Sequence, residues 1–236
     1  MGTTSVGSFF GSFLNDTLAI AAKDLRSEFR TKEALNASFA FSVVILVLFS
    51  FAFDPSSEQL QTISGGLLWL VFSFAGALIL NRSFARELQN DCLDALISSP
   101  APTGALFLGK AVANFVLLMI VELASLGVFA VFYDSRFGAQ LGSIALVIAL
   151  GTWGITVIGT MFSALTVNLR MREMMLPTLV YPLLIPALMA AMTLTTDLMN
   201  GTPFGKDNTI WLRVLAGFDF IYSILAVVFI DVVLVG

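Results

Sequence analysis

Histidine is absent from this chain, and cysteine occurs once, as Cys92, among 236 residues. A disulfide framework and a Cys/His zinc centre are therefore excluded. The missing imidazole also removes the usual acid–base group at neutral pH and the usual haem ligand. Charge is scarce as well. Only 12% of the residues are charged, where soluble domains carry about 25%. The net charge of −4 leaves no basic surface suited to nucleic acid. What is abundant is apolar: 58% of residues are hydrophobic and the mean hydropathy is +0.93. A chain of this size cannot enclose that much apolar surface in its own core, because a small domain leaves much of its surface outside. The composition excludes a disordered chain and points to an integral membrane protein.

Apolar runs of about 18 residues or more are long enough to cross a bilayer as helices. Six stand out: residues 36–53, 63–80, 106–132, 138–165, 176–196 and 212–235. All are expected to be α-helical, because lipid offers the backbone no hydrogen-bond partner. Their patterning does not have period 2, which argues against a β-barrel. The fold class expected is an all-α membrane protein with a single membrane domain over residues 1–236.

Lys and Arg sort by side. With six spans, the termini share a side with Lys23, Arg26, Arg30, Lys32, Arg82, Arg86, Lys110, Arg170 and Arg172. The other side holds Arg136, Lys206 and Arg213, which completes the twelve basic residues. The positive-inside rule then places both termini in the cytoplasm. Met1 to Leu14 carries no charge, so the basic start of a signal peptide is missing.

Two charged segments are too polar to span. Residues 15–35 place Leu14, Leu18, Ala21, Leu25 and Phe29 on one helical face, with Lys23, Arg26 and Arg30 opposite. This pattern suits an amphipathic helix lying on the cytoplasmic membrane surface; the plainer reading is a solvated extension of the first span. Residues 83–98 form a short acidic amphipathic helix. Phe84, Leu88, Cys92, Leu93 and Leu96 are its apolar side, and Glu87, Asn90, Asp91 and Asp94 its polar side. The Ser99-Pro100-Ala101-Pro102 run then ends it. A docking element and a plain connector both fit.

Gly104 to Ala111 nearly matches the phosphate-binding loop. However, Ala111 stands where magnesium needs a Ser or Thr, the intervening residues are apolar and no strand precedes them. The start of a span with Lys110 snorkelling to the interface explains the same residues. No other stretch suits ATP hydrolysis, so the chain reads as a non-catalytic subunit. Glu122 falls near the middle of the third span, where a charge costs roughly 2.5–3.5 kcal/mol on insertion scales. It either lines a substrate route or hydrogen-bonds a neighbour, with Ser125, Thr152, Thr156 and Thr160 in reach. Asp219 and Asp231 read as interfacial charges. Span five carries Pro177, Pro182 and Pro186 and is expected to kink or break. Gly159 and Ser163 form a small-xxx-small pair for close packing.

The order of a basic helix (Lys23-Asp-Leu-Arg-Ser-Glu-Phe-Arg30), two spans, the run Phe84-Ala-Arg-Glu-Leu-Gln-Asn-Asp-Cys-Leu-Asp-Ala-Leu-Ile-Ser-Ser-Pro100 and then Leu108-Gly-Lys110 resembles the membrane subunits of ABC-2 type transporters. More narrowly, it is similar to the haem exporter B family of cytochrome c maturation, over nearly the whole chain. The resemblance implies a permease that pairs with itself and with a separate ATP-binding subunit carrying ATP and magnesium, and that joins haem-handling membrane partners. The ATP would drive either haem export or release of a haem-loaded chaperone. On this reading Glu87, Asp91 and Asp94 dock the ATP-binding subunit, Lys23, Arg26 and Arg30 lie at the membrane surface, and Glu122 is an intramembrane functional residue. No cofactor or metal is expected on the chain itself, haem being at most a substrate. Met and Tyr remain as iron ligands, although the nine Met residues suit packing. The alternatives are an ABC-2 permease for another substrate, or an ATP-independent carrier or scaffold.

Overall fold

The computed structural model describes residues 6–53, 57–89, 101–133, 140–167, 169, 172–205 and 208–235. Among them every regular element is a helix: α1 (Val6–Thr31), α2 (Glu33–Ala52), α3 (Glu58–Leu80), α4 (Ala85–Gln89), α5 (Thr103–Phe132), α6 (Leu141–Thr166), α7 (Arg172–Met199) and α8 (Thr209–Val235). Six of these, α2, α3, α5, α6, α7 and α8, are long and apolar enough to cross a membrane. The protein is an all-α multi-pass membrane protein.

The bundle forms around α3. Leu68, Trp69, Val71, Phe72 and Ala75 on it are buried, and α2, α5, α6 and α7 all pack against it. Lipid removes the hydrophobic drive between helices, so association rests on close packing and hydrogen bonds. Both occur along α6. Gly151 faces the Trp69 ring and Gly159 faces Leu80, and a Cβ at either would collide with them. Ser163 Oγ donates to the Leu80 carbonyl at 2.8 Å. The small-residue pair expected at Gly159 and Ser163 therefore seats α6 on the end of α3. Trp69 Nε1 donates to Thr195 Oγ1 at 2.9 Å, which ties α3 to α7.

Two features differ from the sequence reading. The chain does not run as one helix from residue 15 to 35. α1 starts at Val6, and Lys32 stops it with a left-handed backbone, φ 56°. Glu28 then folds over the break: its Oε1 accepts from the Ala34 and Leu35 amides at 2.8 and 3.2 Å. It supplies the cap that Lys32 cannot, a carboxylate at a helix N-terminus. In α7, Pro177, Pro182 and Pro186 all lie inside one unbroken helix, so the expected break does not occur.

α1 packs along the first half of α5. Thr17, Ala21 and Glu28 form its buried side, while Leu14, Leu18 and Phe29 are exposed. Thr103 at the start of α5 hydrogen-bonds Asp231 near the end of α8. The ends of α1, α3 and α8 and the start of α5 therefore share one end of the bundle.

Candidate functional site

The site at that end is built on Lys110, about two turns into α5. Its ammonium is fully enclosed by protein, whereas the snorkelling expectation left it free at the interface. Lys110 Nζ donates to Asp24 Oδ2 at 3.0 Å, to the Ser83 carbonyl at 2.8 Å and to Glu87 Oε1 at 2.7 Å. The Phe84 ring lies beneath it, 4.7 Å from Nζ to the centroid. Each ammonium proton thus has an acceptor, the condition for burying a lysine without a large penalty. Removing one member of such a buried pair costs roughly 3–5 kcal/mol.

Lys23 closes the cluster from the solvent side, 3.1 Å from both Asp24 and Glu87, with its side chain half exposed. Burial alone would raise the Glu87 carboxyl, but Lys110 and then Lys23 outweigh it and hold its pKa below the ordinary value. Burial alone would lower the Lys23 ammonium, but Asp24 and Glu87 outweigh it and hold its pKa above the ordinary value. A cavity of about 310 Å³ adjoins the cluster, lined among others by Lys23, Asp24, Glu28, Arg82, Glu87 and Asn114. Arg82 at its rim pairs with Glu33 at 2.5 Å, joining the end of α3 to the start of α2.

A polar seam runs inward from this cluster between α5 and α6. Asn114 Nδ2 donates to Ser83 Oγ and to Thr160 Oγ1, both at 2.9 Å. Two turns further in, Thr152 Oγ1 donates to Glu122 Oε2 at 2.5 Å. The pairs 114/160 and 122/152 are each eight residues apart on antiparallel helices, about 12 Å along the axis. They define a single register. Thr156 lies between them, buried, and bonds its own helix at the Trp153 carbonyl. Glu122 is completely buried and, among the described residues, its Oε1 has no hydrogen-bond partner.

The sequence-derived residues separate as follows. Glu87 points into the chain and is engaged by Lys110 and Lys23. Asp91 and Asp94 lie outside the described residues. Lys23, Arg26 and Arg30 are exposed on α1. Glu122 meets Thr152, one of the hydroxyls in reach, whereas Ser125 bonds its own helix at the Val121 carbonyl. Asp219, read from the sequence as an interfacial charge, is buried in α8 against Gly154, and neither carboxylate oxygen has a hydrogen-bond partner among the described residues. Sequence reasoning missed Asp24 and Asn114. Both fall on the right helical faces, but their partners are 86 and 46 residues away in the chain.

A second cavity, of about 510 Å³, lies between α2, α3 and α7 and is lined in part by Phe49, Gly66, Leu70, Met192, Thr196 and Asp197.

The sequence profile of the CcmB protein family matches residues 15–232. Among curated proteins, the chain is 32% identical to heme exporter protein B of Rhodobacter capsulatus over 170 residues, covering 72% of this chain and 78% of the relative. It is 28% identical to heme exporter protein B of Pseudomonas aeruginosa over 203 residues, 83% and 87% of the two chains. The Escherichia coli protein of the same name is 31% identical over 172 residues, 71% and 76% of the two. The match takes in α2 to α7 whole and most of α1 and α8, so the helices that carry Lys110, Glu87, Asp24 and Glu122 all lie within it. The chain belongs to the CcmB protein family.

Proposed function

We propose that this chain is the membrane subunit of a haem exporter serving cytochrome c maturation, and that a separate ATP-hydrolysing subunit drives it from the cytoplasmic side. The observation that carries this reading is the family match across residues 15–232, with relatives named heme exporter protein B. The Lys110 cluster supports it. A docking segment must be held firmly to the bundle if the work of a partner is to reach the membrane, and at the start of the 83–98 segment Glu87 is fastened to α5 through Lys110 and to α1 through Lys23. Glu87 thereby anchors the segment from within, which leaves Asp91 and Asp94 as the carboxylates for a basic cleft on the partner. α1 carries Arg26 and Arg30 toward anionic headgroups at the same end, each adding about 1 kcal/mol of membrane attraction, while Lys23 is paired with Asp24 and Glu87. Haem enters as cargo.

The test is to purify the tagged chain from native membranes in mild detergent. An ATP-hydrolysing subunit and haem-handling membrane proteins should come with it, and cells lacking the chain should lose holocytochrome c. Asp91→Lys with Asp94→Lys should reduce recovery of the ATP-hydrolysing subunit. Holocytochrome c at normal levels in cells lacking the chain overturns the reading.

A further inference from the structure

Lys110 touches three stretches of chain besides its own helix. Asp24 belongs to α1, the Ser83 carbonyl to the turn between α3 and α4, and Glu87 to α4. Filling this space would not require a lysine. A buried ammonium is costly to desolvate, and apolar side chains in place of Lys110 and its carboxylate partners together would pack there at no such cost. What the ammonium adds is direction: its acceptors and the Phe84 ring fix one position for α4 relative to α5. One turn further along α5, Asn114 holds Ser83 Oγ from the same turn and reaches across to Thr160 on α6. Two turns beyond that, Glu122 meets Thr152 in the same register.

We propose that Lys110 is a positioning residue that carries movement of α4 and of the turn before it into α5 and, through the Asn114–Thr160 and Glu122–Thr152 pairs, into α6. This rests on the reading that an ATP-hydrolysing subunit docks on the 83–98 segment. The transmission is geometric. Glu87 and Ser83 move with the segment and draw Lys110 with them. α5 follows as one rigid helix, and the two polar pairs eight residues apart make α6 follow in register or exchange partners along the Thr152, Thr156 and Thr160 ladder. Arg at position 110 retains the charge and donors that can reach the same carboxylates, though in a planar fork; Met retains the bulk alone.

The experiment uses the assembled complex in native membranes with three variants: Lys110→Arg, Lys110→Met, and Lys110→Met with Glu87→Gln, which removes both charges and leaves no unpaired carboxylate on α4. Three quantities are read: holocytochrome c per assembled complex, ATP hydrolysis by the co-purified subunit, and the thiol-labelling rate of Cys92, the sole thiol of the chain and part of the same segment. The expected result is near-normal output for Lys110→Arg. Both Met variants should keep the ATP-hydrolysing subunit bound and active yet lose about tenfold in holocytochrome per complex, the scale of one charge-assisted hydrogen bond, and Cys92 should label several times faster. Normal output and normal labelling in the double variant overturn the proposal, because Lys110 then only neutralises its neighbours. Met variants that fail to accumulate in the membrane, single and double alike, assign Lys110 to folding and overturn it as well. If no ATP-hydrolysing subunit accompanies the unaltered chain, the functional reading fails separately, and the labelling rate of Cys92 still decides whether Lys110 holds the segment.

Discussion

Glu122 has one oxygen bonded to Thr152 and the other without a partner among the described residues. A glutamine would fill the same volume and hydrogen-bond the same hydroxyl, so a carboxylate that only packs gains nothing over it. We expect Glu122→Gln to leave complex yield unchanged and to lower holocytochrome c formation in the same cells. Normal values for both would leave Glu122 a packing residue. Glu87 makes a different prediction, about pH. Its folded pKa is held below the ordinary 4.5, so its ion pairs stabilise the chain above that pH and are lost as pH falls through the depressed value. Lys23 is held above its ordinary 10.5, so its share is present below that pH and is lost as pH rises through the raised value. Thermal stability of the purified protein should therefore show no contribution from this cluster's titration across the neutral range. An acid limb should appear below the ordinary carboxylate pKa, and it should be weaker in Glu87→Gln. A limb from this cluster near neutral pH would contradict the pairing.

At the scale of helices, Gly151 against Trp69 is the closest contact between α6 and α3 that a side chain would abolish. Gly151→Val should destabilise the protein by about 1–3 kcal/mol, the range for overpacking a close interior. Gly142→Ala, on the same helix with open space around it, should change stability by under about 0.5 kcal/mol. Thermal unfolding in detergent compares the two, and equal effects would mean that the α3–α6 contact is not tight. The spans themselves were legible in the sequence because their length is set by the bilayer, a constraint that needs no knowledge of neighbours. Their starts were less so. α2, α3, α5, α7 and α8 begin about a turn before the apolar runs, since a helix does not end where lipid does. The stop at Lys32 gave no warning, for neither glycine nor proline stands there. Lys110 and Asp219 were misread for one reason: near a span end, snorkelling is the ordinary fate of a charge, and the partners that bury Lys110 lie 23 to 86 residues away. Glu122 was readable because depth alone singled it out.

For the whole molecule, the positive-inside rule applied to Lys and Arg leads us to expect the Lys110 cluster on the cytoplasmic side. In a Cys92→Ser background, Arg26→Cys should react with an impermeant thiol reagent only after the membrane is opened. Ser57→Cys and Leu141→Cys, at the opposite ends of their helices, should react from outside intact cells. The reverse pattern would invert the protein and overturn the proposal that an ATP-hydrolysing subunit docks on residues 83–98 from the cytoplasm. The corner between α1 and α2 bears on how such a bundle is assembled during synthesis. Glu28, Lys32, Ala34 and Leu35 lie within a few residues of one another, so the angle between the two helices can be set soon after they leave the ribosome. The bond from Asp24 to Lys110 closes across 86 residues and must wait for three further helical segments, at an added entropy cost that grows only slowly with loop length. The corner between α1 and α2 can thus close through contacts six and seven residues apart, before the lysine that Asp24 pairs with has been made.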